Sequence, residues 1–257
     1  MRGIKLSLLM LTVTLMAGVR ESPAQNERFD VGTKLLIPSS ARTDKFTSLL
    51  VVLNLDNDSN EVTITARRTD GSTLGTPLSI TLPEGGRYRN TDILGAMGAS
   101  LGEFGPITVE STNAKNLSAV SEVTSAQGLA GFFPGINVDT AWERGFIAEV
   151  VDTGDRGTAG THRTNLGVNR VGDTDANVTI TLHDNTGTQL GSTTVRVQGN
   201  GMAQLNDVIR AALGSAVVTG REGYLRLSSD ATIIAWASKI ENGFDAPAFQ
   251  IGIGEAD

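Results

Sequence analysis

Apolar and polar residues alternate with period two through most of the chain, and the clearest stretch does so twice. Val62, Ile64 and Ala66 are separated by Thr63 and Thr65, and Val178, Ile180 and Leu182 by Thr179 and Thr181. Such alternation belongs to a strand with one face buried and the other in water. Each copy is followed by turn residues (Asp70 and Gly71; Asn185 and Gly187), then a Leu-Gly pair (Leu74 and Gly75; Leu190 and Gly191). A further alternation comes next (Ile80 and Leu82; Val195 and Val197). The copies lie 116 residues apart, from Val62 to Val178. A period this long predicts a duplicated domain rather than a short solenoid unit.

Further strands follow from the same pattern. The first copy is expected to open with a strand over residues 29–37, broken by Pro38. Its second strand should turn Leu49, Val51, Leu53 and Leu55 to the core. A brief helix, capped by Thr91 or Asp92, carries Ile93 and Leu94. Ile107 and Val109 mark another strand, residues 117–123 the next, and Phe132 and Phe133 the last. The second copy retraces this path from Phe146 to Ile253, with Leu166 and Val168 matched to Val51 and Leu53, and Asp207 at the helix start. In its penultimate strand Ile234, Trp236, Ser238 and Ile240 are expected to point inward, and Trp236 matches Ala119.

About seven short strands per copy, punctuated by Gly, Asn and Asp, predict an all-β fold of two tandem antiparallel β-sandwiches, each with one short helix. The expected domains are 25–138 and 145–253. Residues 137–144 form a short semi-rigid connection that carries Trp142.

The second copy resembles the immunoglobulin-like repeats of secreted bacterial proteins. The resemblance rests on His162 through Asn169, the Val178 strand with Leu190 and Gly191, Gln204 through Asp207, Tyr224 through Ser228, and Ala237 with Ser238. The first copy departs from the pattern at Asn90, which stands where the second has Leu205. What the resemblance implies is an immunoglobulin-like sandwich and export; it brings no functional residues with it.

Composition narrows the setting. The chain has 257 residues, no cysteine and a formal net charge of -7. Disulfides, thiolate metal sites and thiol nucleophiles are therefore excluded, and an acidic surface disfavours nucleic acid and anionic membranes. Arg2 and Lys5 precede an apolar run over residues 6–17, and Ser22 and Ala24 supply small residues before Gln25. This predicts a signal peptide over residues 1–24. The run is too short for a spanning helix, which needs about 20 apolar residues. The mature chain is expected to be secreted or periplasmic in a bacterium, with no membrane insertion after signal removal.

Candidate chemistry is sparse. Gly98, Ser100 and Gly102 fit the spacing of a hydrolase nucleophile elbow, but that motif needs a strand running into a long helix, and here it follows one helical turn. A base would have to come from His162 or His183, the two histidines of the chain. His183 falls on the outward face with Thr179 and Thr181. Asp56, Asp58 and Asn60, with Asp173, Asp175 and Asn177 in the corresponding loop, alternate oxygen ligands as calcium loops do. Neither loop has glycine at its sixth position, where Glu61 and Val178 stand, or glutamate at its twelfth, where Arg67 and Asp184 stand. Tight turns select the same residues, so the turn reading is preferred and calcium is the alternative. No cofactor is expected. Trp142 and Tyr88 are the candidate binding aromatics, and Trp236 is assigned to the core.

The expected function is that of a non-catalytic surface, adhesion or scaffold protein with a protein or polysaccharide partner. The alternative is an accessory carbohydrate- or protein-binding subunit of a secreted enzyme or secretion system.

Overall fold

A computed structural model describes residues 30–126, 128, 130–214, 220–243 and 246–255. The expected signal peptide lies outside the described residues. The first half comprises β1 (Lys34–Arg42), β2 (Phe46–Asn54), β3 (Asn60–Arg67), β4 (Thr73–Leu82), β5 (Arg87–Asn90), α1 (Ile93–Ala96), β6 (Glu103–Ser111), β7 (Leu117–Ser125), β8 (Ala130–Pro134) and β9 (Ile136–Asn137). The second comprises β10 (Trp142–Asp152), β11 (His162–Arg170), β12 (Ala176–His183), β13 (Gln189–Val197), β14 (Met202–Leu205), α2 (Val208–Leu213), β15 (Arg221–Glu241), β16 (Ala246–Ile251) and β17 (Ile253–Gly254). Among the described residues no helix is long and apolar enough to cross a membrane.

All strand pairs named in either half are antiparallel. In the first half one layer runs β4-β3-β6-β1 and the other β2-β7-β8, with β5 on β2 and β9 on β1. The layers join at one corner, where Arg42 pairs with Thr47. The second half repeats this order as β13-β12-β15-β10 and β11-β15-β16, with β14 on β11 and β17 on β10, and its corner pairs Asp152 with Arg163. Each half is thus a sandwich with one short helix. In immunoglobulin constant domains the first strand lies beside the second and the seventh beside the sixth. Here β1 lies beside β6 and β7 beside β2, so the strand order differs from that of an immunoglobulin constant domain.

Burial follows the alternation in β3 and β12, where Val62, Ile64, Ala66, Val178, Ile180 and Leu182 are all buried. The helices are capped as expected: Asp92 accepts from the Gly95 amide at 2.9 Å and Asp207 from the Arg210 amide at 3.4 Å. Four expectations need correction. In β2 the buried apolar residues are Leu50 and Val52, in phase with buried Ser48 and Asn54, while Leu53 and Leu55 are exposed. The apolar run from Leu49 to Leu53 is unbroken, so it carries no phase of its own. Pairing with β7 sets it, placing Leu50 opposite Ser121 and Val52 opposite Ala119. Leu50, not Val51, is then the counterpart of Leu166, which stands opposite Ala237.

The same one-residue slip affects β15. Ile233, Ala235 and Ala237 pack into the second half's own core, whereas Trp236 belongs to the cluster of first-half residues and Ile234 joins Leu36 and Ile136. Trp236 is buried, at 3% exposure, but against the other half, and its counterpart is Val120 rather than Ala119. Third, Pro38 does not end β1. It sits in a register shift between Ile37 and Ser40, one of the few places a strand tolerates proline. Fourth, the two strands expected near Leu225 and Ile234 form one strand of 21 residues, β15, that serves both layers.

Candidate functional site

The halves meet through an aromatic cluster built on missing side chains. Opposite Trp236 on β11 stands Gly167, where an added Cβ would lie 2.0 Å from the indole. Absence of that carbon lets the ring lie flat on the sheet. The indole Nε1 donates to Asn169 Oδ1 at 3.0 Å, and Asn169 Nδ2 donates to the Pro38 carbonyl at 2.9 Å. Asn169 thus ties the ring to the register shift of β1 in the other half. Phe133 meets Trp236 edge-on with centroids 5.0 Å apart, and Phe249 packs at 3.9 Å from Phe133. Phe249 in turn occupies the space above Gly131, where a Cβ would lie 2.1 Å from its ring.

Beside this cluster lies a cavity of about 260 Å³. Phe46, Phe104, Trp236 and Phe249 line it, interleaved with Ser39, Thr43, Asn165, Gln204 and Ser238, and among the described residues none that lines it is charged. Stacking surfaces and neutral hydrogen-bonding groups suit an uncharged ligand. Two of the amides are already engaged: Asn165 Oδ1 accepts from the Asp207 amide at 3.1 Å, and Gln204 donates to Asn206 at 2.8 Å.

The strongest electrostatic feature is elsewhere. Arg210 Nε lies 2.8 Å from both Asp152 Oδ2 and Asp207 Oδ2, and its terminal nitrogen reaches Asp155 at 3.2 Å. Asp152 is fully buried. The hydrogen bond that Arg210 donates to the Asp152 carboxylate holds the guanidinium above its ordinary range. Burial first, and the Asp152 carboxylate second, push the Asp207 carboxyl up. This cluster fixes α2 to β10.

The residues singled out in the sequence are scattered. Trp142 begins β10 opposite Ile233 and packs against the second half's own core, its ring bedded on Gly145, Gly252 and Gly254. Tyr88 rests on the first half's core, and its hydroxyl accepts from Asn90 at 3.2 Å. Neither lines the cavity. Ser100 lies exposed on the turn between α1 and β6, while His162 and His183 are on β11 and β12. His183 stacks on Tyr224 with centroids 5.0 Å apart, and its Nδ1 lies 3.1 Å from the Gly187 carbonyl.

The paired acidic loops act as latches. Asp56 accepts from the Asn116 amide, Asp58 from Lys115 at 2.7 Å, and buried Asn60 from Ser111 at 2.7 Å. Asp173 accepts from Asn200 at 2.7 Å, Asp175 from Arg196 at 2.8 Å, and Asn177 donates to Asp230 at 2.8 Å. Among the described residues no group of three or more His, Cys, Asp or Glu could hold a metal ion.

Sequence reasoning missed Phe46, Phe104 and Phe249. The available signal was glycine within strands, at Gly131 and Gly167, which marks close approach by another group.

No family model matches the sequence, and no curated protein does. Among solved structures, the chain is similar to the crystal structure of Thermotoga maritima 1070, with 15% identity, a TM-score of 0.36 and coverage of 45% of this chain and 96% of that one. It is also similar to a beta-glucuronidase from glycoside hydrolase family 2 (8% identity, TM-score 0.18, 87% of this chain and 24% of that one). A third likeness is to the C-terminal domain of the Streptococcus pyogenes antigen I/II-family protein AspA (9% identity, TM-score 0.15, 88% and 99%). Likenesses at this level carry no argument about activity.

Proposed function

We propose that the chain is a non-catalytic surface or scaffold protein, exported to the bacterial periplasm or exterior and built from a duplicated immunoglobulin-like module. The observation that carries this reading is the junction. Trp236, Phe133 and Phe249 interlock, and Asn169 bridges the indole to the Pro38 carbonyl. A contact made of buried aromatics and directed hydrogen bonds resists relative motion of the halves, which suits presentation of surfaces in fixed relation. Screening the full chain against ester, glycoside and peptide substrates tests it. The expected result is no turnover, and activity that vanishes in Ser100→Ala or His183→Ala overturns the reading in favour of an enzyme.

A second reading, an accessory carbohydrate- or protein-binding subunit, is favoured by the uncharged aromatic cavity. It predicts that neutral oligosaccharides or peptides quench the Trp236 emission of a Trp142→Phe variant, and that Phe104→Ala removes the effect. A flat titration with both ligand classes would count against it.

A further inference from the structure

The strand registers fix which residues of the two halves correspond. On the outer face of β7, Val120 is the counterpart of Trp236. On the neighbouring strand Phe132, opposite Glu122, is the counterpart of Phe249, opposite Ser238. Along β1, Leu36 stands opposite Ile136 as Phe146 stands opposite Ile253. Within the chain, Ile234, Trp236 and Phe249 of the second half are seated on Leu36, Ile136 and Phe133 of the first. The contact is heterologous, since an outer face of one half meets the side of the other. Such a contact leaves one copy of each surface unused. The unused pair is the outer face of β2, β7 and β8 and the side formed by β10, β16 and β17.

Both unused surfaces carry exposed apolar groups. Leu53 and Phe132 on the face are 37% and 46% exposed, where the second half has the buried Asn169 and the partly buried Phe249; Ile253 on the side is 68% exposed, whereas its counterpart Ile136 is buried at 6%. Their charges are also complementary. Ser39 and Gln204 line one cavity from opposite halves, and their counterparts are Glu149 on the side and Arg89 on the face. Val123 and Ser238 line it likewise, and their counterparts are Lys239 on the side and Glu122 on the face. Each pair of neutral positions lining the cavity is replaced by two residues of opposite sign, and on the side Glu149 and Lys239 also pair with each other at 2.7 Å. We propose that the chain associates head to tail, the outer face of β2, β7 and β8 in one copy docking on the β10 and β16 side of a second copy. The internal contact is thereby repeated between molecules, with Arg89 facing Glu149 and Glu122 facing Lys239. The inference stands independently of what the cavity binds.

Sedimentation of the full chain at concentrations up to about 1 mM tests it. Mass is expected to rise with concentration and to pass beyond a dimer. Phe132→Glu and Leu53→Arg should each hold the chain as a monomer without moving its thermal transition, since both positions lie outside the cores. Arg89→Glu and Glu149→Arg should each weaken association by about tenfold or more. Mixing those two variants should restore it, because copies that alternate meet opposite charges at every contact. A chain that is monomeric throughout overturns the proposal. So does a dimer that Phe132→Glu dissolves and Glu149→Arg leaves intact, because that pattern belongs to two faces meeting each other.

Discussion

The outer faces of β2 and β11 occupy equivalent positions and have opposite surroundings. On β11 the face consists of Asn165, Gly167 and Asn169, and all three are buried; on β2 it consists of Leu49, Val51 and Leu53, of which Leu53 is exposed. Apolar content therefore does not decide which face is covered. A single large ring does: Trp236 brings enough area to the second half's face to need a partner, and the small or polar residues beneath it make room and supply hydrogen bonds. The same exchange of roles occurs at the helix. In the first half the cation is on the strand, with Arg42 Nε 3.1 Å from Asp92 Oδ2. In the second the strand position holds Asp152, and the cation has moved to the helix as Arg210. Gly95 stands where Arg210 does, and a Cβ there would lie 2.2 Å from Asp92.

The largest effect is expected from Trp236→Ala, which removes the ring from the contact between the halves and should cost about 3–5 kcal/mol in chemical denaturation. Val120→Ala, at the equivalent half-buried site, should cost no more than about 1 kcal/mol. Equal losses at the two positions would mean that the indole is not what holds the second half's face against the first. Next comes Arg210→Met, which leaves buried Asp152 without its cation and should cost about 3 kcal/mol. Arg42→Met breaks a pair that is partly solvated on both sides, and a loss of about 1 kcal/mol or less is expected. Gly167→Ala pushes a carbon into the indole and should cost about 1–3 kcal/mol, with a visible change in Trp236 emission.

The smallest effect is a titration. Carbon-detected NMR should find Asp207 ionising above the ordinary carboxylate range, and Asp152→Asn should bring it down. The fold favours its protonated form, so its contribution to stability is greatest below the unfolded carboxylate range and is lost as pH rises through the raised value. An Asp207 that titrates at or below the ordinary value would mean that the Arg210 charge outweighs burial.

Strands with strict alternation were legible in the sequence: β3 and β12 have the phase that Val62 and Val178 announce. The helix caps were legible too, because Asp92 and Asp207 must satisfy free amides. Phase failed where both faces are apolar, as in residues 49–53, or where both are buried, as in residues 233–238, since periodicity carries no information there and pairing with the next strand decides. The site was less legible still. Its aromatics come from β2, β6, β8, β15 and β16, which are far apart in the chain and converge only because one half sits on the side of the other. Trp142, placed between the halves by sequence order, instead begins β10 and rests on Gly145 of that strand and on Gly252 and Gly254 at the β17 edge.

The length of β15 bears on where the protein can be extended. Its counterpart in the first half is interrupted by residues 112–116, an exposed turn in which Ala114 adopts φ 57°, a conformation uncommon for residues with a side chain. In the second half the corresponding residues continue without a break inside the strand of 21 residues. A foreign loop grafted at Ala114, between residues whose side chains and amides are latched to neighbouring loops, should be carried at smaller cost than one placed inside a strand. The same graft at Ala231 would split a strand shared by both layers and unfold the half that contains it.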